Sequence, residues 1–243
     1  MRIIKLNAID STNTFLRQLS NAEVLEDYTV VVAESQTNGR GQMGTTWHSQ
    51  PSKNLMASMF IDVSFLSVED SFYISMAISL AISNALKNFQ IKHVKVKWPN
   101  DILADQKKIS GILIENVIKN NMLNATIIGF GLNVNQINFE NLPQATSMQM
   151  VSGVFYDLDQ VLQAVIKHLK IIIEMLKRQQ FEKVKALYEA ELFRKNKPST
   201  FSNVEGEMFP GFIKGVSNTG YLQVLLEDNI LKEFDLKEVR LLY

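Results

Sequence analysis

The chain has 243 residues, with 25 basic and 25 acidic side chains, three histidines and no cysteine. At 46% apolar and 21% charged it can bury a sizeable core, which excludes a disordered or coiled-coil composition. Zero net charge argues against a dedicated nucleic-acid binder, and the lack of cysteine excludes disulfides, a thiolate nucleophile and Cys-based metal centres.

The first residues meet Arg2, Lys5 and Asp10 before any apolar signal segment develops, and no apolar run approaches the ~18 residues of a spanning helix. A cytoplasmic protein without membrane contact is expected. Ser11-Thr12-Asn13 precedes a short amphipathic helix over 14–20, where it serves either as a plain cap or as a donor set for a ligand. Residues 28–34 (YTVVVAE) read as a buried strand. The polar stretch 35–53, with Gly39, Gly41, Gly44 and Pro51, has neither period, and such a length is usually functional or disordered. Residues 54–62 read as the next strand. Residues 67–90 read as a helix, with Ser67 as cap and Asp70 in a capping-box position.

Residues 93–98 alternate, and Pro99 stops them. Trp98 points with Val94 and Val96 and is expected in the core. Residues 108–118 and 122–134 read as two strands joined by Lys119-Asn120-Asn121. A long helical region follows over 157–194, with a break near Gln179–Gln180. From Ser199 the texture turns to short strands with turns at Glu205-Gly206, Asn218-Gly220 and Asp228-Asn229, the pattern of a small β-barrel. An exposed strand such as 123–134 could support a sheet-to-sheet homodimer, although the sequence does not say which strand lies at an edge.

Several short motifs can carry chemistry. Gly39-Arg40-Gly41 suits an anion nest with a planar donor fork, although an ordinary glycine turn also explains it. It matches neither a P-loop nor a dinucleotide fingerprint. Asn100 and Asp101, after Lys97-Trp98-Pro99, are either turn formers or ligands for Mg²⁺ or a ribose. On strict alternation, Lys108, Ser110 and Ile112 share one face, and Ile109, Gly111 and Leu113 the other. Lys108 is the better candidate than Lys107 for holding a polyanion. Gly129 and Gly131 leave a flat slot beside Asn133, for a ring or for tight packing. Trp47, in a polar loop, is placed to stack on a ligand ring. His48, His93 and His168 lack metal-ligand spacing, and no Gly-x-Ser-x-Gly elbow is present. These features suggest an anionic nucleotide and a small ligand bound side by side, without covalent catalysis by the protein.

In chain order, Asp10-Ser11-Thr12-Asn13, Glu34-Ser35-Gln36, Gly39-Arg40-Gly41, Trp47, Lys97-Trp98-Pro99-Asn100-Asp101, Lys107–Leu113 and Gly129–Asn133 resemble the biotin–protein ligases, also called biotin–[acetyl-CoA-carboxylase] ligases. The resemblance covers about residues 8–135. It implies an α+β fold: a mixed sheet with helices packed on one side, like a class II aminoacyl-tRNA synthetase, plus an SH3-like barrel. The domains would be 1–195 and 196–243. It implies a monofunctional type without an N-terminal DNA-binding domain. Biotin and ATP would form biotinyl-5′-AMP, and a lysine of the biotin carboxyl carrier domain of a carboxylase would then take the biotin.

By the same resemblance, Lys108, Arg40 and Asp101 are catalytic, with Asp101 near Mg²⁺ or the phosphates. Ser11, Thr12, Asn13, Gln36, Arg40, Gly41, Gln42, Lys108 and Gly111 would contact biotin. Gly39, Arg40, Trp47, Lys97, Asn100, Asp101, Lys108, Gly131 and Asn133 would contact ATP or the adenylate. Many relatives carry a second arginine where this chain has Gln42. The rival readings are a lipoate–protein ligase and a non-catalytic biotin- or nucleotide-binding module.

Overall fold

A computed structural model describes residues 1–140 and 142–243. The larger sheet begins with β1 (Ile3–Ile9), β2 (Thr29–Gln36) and β3 (Leu55–Asp62), and continues with β4 (Val94–Lys97), β5 (Asp101–Ala104), β6 (Lys107–Lys119) and β7 (Met122–Leu132). These seven strands run in the order β1-β2-β3-β7-β6-β5-β4. Only β1 and β2 pair in parallel; the others are antiparallel. The β6–β7 turn uses Asn120 and Asn121, both at positive φ, as a two-residue hairpin on a right-twisted pair requires.

β7 lies between β3 and β6, paired on both sides, and has no free edge. The sheet's edges, left open by the sequence, are β1 and β4, so residues 123–134 offer no edge for pairing with a second copy.

The two faces of this sheet are covered differently. One carries the main core. There Met59, Ile61, Ile128, Phe130 and Leu132 pack with α2 (Phe72–Asn88), α4 (Leu158–Lys177) and α5 (Phe181–Glu191). The helix break after Lys177 falls beside the expected Gln179–Gln180, and Gln179 has positive φ. The other face takes the short helix α1 (Thr12–Ala22), whose Leu16 meets Val31 and Ile127 in a small second cluster. Helix α2 starts later than expected. Ser67 Oγ donates to Asp70 Oδ2 at 2.7 Å and accepts its N–H at 3.2 Å, so the capping pair forms. It heads a 3₁₀ turn over Glu69–Ser71, and the α-helix begins at Phe72.

After a short helix α3 (Met148–Ser152) and the α4–α5 pair, the chain enters a second antiparallel sheet. Its strands are β8 (Pro198–Asn203), β9 (Met208–Val216), β10 (Leu222–Leu225), β11 (Leu231–Phe234) and β12 (Val239–Leu242), in the order β11-β10-β9-β8-β12. Gly206, Gly220 and Asn229, at the expected turns, all have positive φ. Phe201, Ile213, Leu222, Val224 and Phe234 join the main core, so both sheets share one apolar interior. No helix is long and apolar enough to cross a membrane among the described residues.

Candidate active site

The α1 side of the larger sheet carries the site. Side chains alternate along a strand, so cross-strand partners share a face. The register places Lys97 opposite Asp101, Asp101 opposite Gly111, and Gly111 opposite Gly131. Leu113 faces Gly129, which faces Ser58 on β3. Lys97, Asp101, Gly111, Leu113, Gly129 and Gly131 of this row form the floor of a cavity of about 290 Å³. Its walls are the start of α1, Gln36 and the glycine loop, and Leu236, from the turn between the last two strands of the second sheet, closes one side.

At one end is the start of α1. The helix starts at Thr12, earlier than expected, and its N-cap Ser11 makes no side-chain cap bond. The Gln36 side chain does that work instead: the Thr12 N–H donates to Gln36 Oε1 at 2.8 Å. Asn13 is held on both ends of its amide. Its Oδ1 accepts from Ser58 Oγ at 2.5 Å, and its Nδ2 donates to Leu113 O at 3.3 Å and Glu115 Oε2 at 3.0 Å. The missing side chain at Gly129 makes room for this, since a Cβ there would overlap the Asn13 amide.

The glycine loop is more regular than its sequence suggests. Gly41 N–H donates to Thr45 O at 2.6 Å, Trp47 N–H to Gly39 O at 2.9 Å, and Arg40 bridges to Thr46. Residues 39–47 thus form a tight reversal, with Met43 and Gly44 at positive φ. It lays the Trp47 indole against Gly131, where a Cβ would overlap the ring, and beside Gly111. The flat slot expected at Gly131 is real, and the protein's own indole lies in it. Trp47 Nε1 is buried and has no partner among the described residues. Arg40 pairs with Glu115 on β6, its Nη2 donating to both carboxylate oxygens at 3.1 and 3.0 Å.

At the other end, Lys108 Nζ lies 2.6 Å from Asp101 Oδ1 and 5.8 Å from the centre of the Trp47 ring. Strict alternation had put Lys108 on the face opposite Gly111. The structure corrects this: Leu103 pairs with Lys108 but Ile102 with Ser110, so Ile109 is an extra residue in β6. That bulge re-aims the strand and brings Lys108 beside Gly111. Its backbone is pinned as well, donating to Gln144 O at 2.7 Å and accepting from Thr146 N at 2.9 Å.

Asn100 staples the β4–β5 turn to β6, its Nδ2 donating to Ile112 O at 2.9 Å. Lys97 stands over the Tyr243 ring at 4.8 Å. Burial pushes its ammonium below the usual lysine range, with Lys108 and Arg240 adding to the shift and Asp101 opposing it. Trp98 is half-buried rather than in the core, and its Nε1 donates to Gly220 O at 2.9 Å.

Ser11, Thr12, Asn13, Gln36, Arg40, Gly41, Gln42, Trp47, Lys97, Asn100, Asp101, Lys108, Gly111 and Gly131 all line the one cavity. Two expected residues do not. Gly39 sits behind it, stabilising the loop reversal. Asn133 lies beyond the end of β7 at Leu132, where the alternation that put it beside Gly131 has stopped. It is buried and donates to Thr146 O at 3.0 Å.

Sequence reasoning passed over Ser58, Glu115 and Leu236. Glu115 shares the parity of Gly111 and Leu113, and a carboxylate in mid-strand was the available signal. Leu236 arrives from a distant segment and had none.

Residues 6–133 match the biotin/lipoate A/B protein ligase family. The bifunctional ligase/repressor BirA of Bacillus spizizenii is 28% identical over 239 residues, spanning 95% of this chain and 71% of that protein. The biotin–[acetyl-CoA-carboxylase] ligase of Mycobacterium tuberculosis is 30% identical over 165 residues, 66% of this chain and 59% of that protein. A biotin protein ligase from Aquifex aeolicus, solved in complex with biotin and ATP, superposes with a TM-score of 0.82 at 27% identity, covering 99% of this chain and 98% of that one. The ordered motifs and the matched segment agree, and the chain belongs to the biotin/lipoate A/B protein ligase family.

Proposed function

We propose that the chain is an ATP-dependent biotin–protein ligase working through an adenylate. One observation carries this reading: a single cavity holds, in series, a polar end built from Ser11, Thr12 and Asn13 and an ionic end built from Lys108, Asp101 and Lys97. A small polar head group fits the first end and a phosphate chain the second. The reacting carboxylate and α-phosphate then meet near Arg40 and Lys108.

The biotin carboxylate attacks the α-phosphorus, the bond to the bridging oxygen breaks, and pyrophosphate leaves. A neutral lysine amine on a biotin carboxyl carrier domain next attacks the acyl carbon of the mixed anhydride. AMP leaves and the amine loses its proton. Lys108 stabilises the charge that builds at the carboxylate and α-phosphate, a task for fixed electrostatics rather than a protein nucleophile. Arg40 adds donors from the loop, and Trp47 offers its indole face to the adenine. The loop acts as a lid that keeps water from the anhydride.

Magnesium would enter on the nucleotide's phosphates with Asp101 as its protein carboxylate, where it would offset phosphate charge. No group of three His, Cys, Asp or Glu side chains among the described residues could hold it alone. We assign residues 1–195 to the catalytic unit and 196–243 to the barrel, and place the protein in the cytoplasm.

Biotin-dependent ATP–pyrophosphate exchange tests the reading, with lipoate and octanoate in parallel. Exchange with biotin is expected. Exchange with lipoate alone would move the chain to the lipoate branch, and silence with every acid would leave a binding module.

A further inference from the structure

Arg40 is the loop's only cation in the cavity, and it leans on a residue that the reaction scheme above does not use. Glu115 lies on β6 in the same facial row as Gly111 and Leu113. Its carboxylate takes both bonds from Arg40 Nη2 and, at Oε2, one more from Asn13 Nδ2. One side chain thus touches the loop's anion donor and the head-group end of the cavity at once.

The geometry leaves work for Arg40 to do. A guanidinium carries five N–H donors. Glu115 engages Nη2, while Nε and Nη1 have no protein partner among the described residues. Asn13 is oriented in the same way, by Glu115 on its nitrogen and Ser58 on its oxygen, which leaves one Oδ1 lone pair for a ligand N–H. The Glu115 side chain is 20% exposed and that of Arg40 40% exposed, so the pair is partly solvated and serves orientation more than stability.

We propose that Glu115 is a positioning residue for the adenylation step, holding Arg40 and Asn13 so that the anion donors and the head-group acceptor address the same ligand. This rests on the ligase reading above. The residue touches no reacting atom and acts through its two partners.

Three variants separate the roles. In Glu115→Gln the amide oxygen still accepts from Asn13, but the charge that holds Arg40 is gone. The expected result is a kcat for biotin-dependent pyrophosphate exchange lowered about tenfold, less than the ~10²–10³-fold of losing a donor outright, with the biotin KM within about twofold. In Glu115→Ala, Asn13 also loses its orientation, and the biotin KM rises by about tenfold in addition. In the double variant Arg40→Ala/Glu115→Gln, kcat falls no further than in Arg40→Ala alone, because the two act as one unit. Multiplying effects, or an unchanged kcat in Glu115→Gln, would overturn the proposal.

Hydrogen exchange supplies a readout that needs no turnover. Without any ligand, the amides of residues 40–47 should exchange about tenfold faster in Glu115→Gln, with Tm nearly unchanged. Unchanged loop exchange would also overturn the proposal. A wild-type protein silent with biotin would sink the ligase reading, while the exchange comparison would still decide whether Glu115 anchors the loop.

Discussion

The two faces of the seven-stranded sheet are made by the same residues counted odd and even, yet they do opposite things. On β7, Ile128, Phe130 and Leu132 point into the dry core beneath α2, α4 and α5. Ile127, Gly129 and Gly131 point the other way, toward α1 and the cavity. On β3, Met59 and Ile61 are core, while Ser58 between them and Ala57 holds Thr12 and Asn13. A single step along a strand separates residues selected for volume from residues selected for chemistry. The core face makes the sheet rigid, and that rigidity fixes Lys108, Asp101 and Glu115 relative to one another.

Substitutions on opposite faces should therefore fail in opposite ways. Lys108→Ala removes the cation nearest the reacting groups. Adenylation should fall ~10²–10³-fold while Tm and the folded spectrum hold. Pyrophosphate exchange with normal kinetics in this variant would remove Lys108 from the mechanism. Ile128→Ala, one strand away and facing the helices, should cost about 2–5 kcal/mol of stability through the cavity it leaves. Its biotin KM at a temperature where it is folded should match the wild type. A core variant that changed KM while keeping Tm would break the division between the faces.

Gly129→Ala tests the boundary. The added Cβ overlaps the Asn13 amide, whose hydrogen bonds to Ser58 and Glu115 must shift. The expected loss is in affinity: a biotin KM at least about tenfold higher, with a smaller effect on Tm than Ile128→Ala. Affinity measured by calorimetry, without ATP, should show the same loss. An unaltered KM would mean that Asn13 is not part of the head-group end.

The core face was the easier half to read. Buried strands and helices announce themselves through continuous apolar patterning, and the elements β2 to β4, β6, β7, α4 and α5 fall within a few residues of their expected places, whereas the four-residue strand β5 (Asp101–Ala104) was read only as a turn. The cavity face was legible where a residue type is itself unusual: Gly111, Gly129 and Gly131 in mid-strand, and Lys97–Asp101 around a proline. It was illegible where position depends on an irregularity. The bulge at Ile109 moved Lys108 to the other face, and no propensity marks a bulge whose extra residue is an isoleucine. The early end of β7 likewise took Asn133 out of the row. Glu115 carried a weak signal, a mid-strand carboxylate with the parity of Gly111 and Leu113, but its role is legible only once Arg40 and Asn13 are seen bonded to it.

The loop that closes the cavity face is its least buried part, and ligand binding should change it most. Adding biotin is expected to slow amide exchange over Arg40–Trp47, while the strands on the core face, already protected, stay as they are. No change in the loop would remove the lid from the scheme.

The smallest expected effect lies where the second sheet meets the first. Trp98 follows β4, lines the cavity, and donates from Nε1 to Gly220 O at 2.9 Å in the turn before β10. Trp98→Phe keeps most of the ring's contact area and deletes one hydrogen bond, a loss of about 1 kcal/mol. For a chain of this size that corresponds to a fall in Tm of roughly 2–4 °C. The shape of the transition carries more than its midpoint. Phe201, Leu222 and Phe234 share a core with the larger sheet, so both sheets should melt together and the whole transition should move. A first transition confined to the second sheet, leaving the larger one folded, would mean that this interface is looser than its shared core implies. Leu236 would then be a movable wall of the cavity rather than a fixed one.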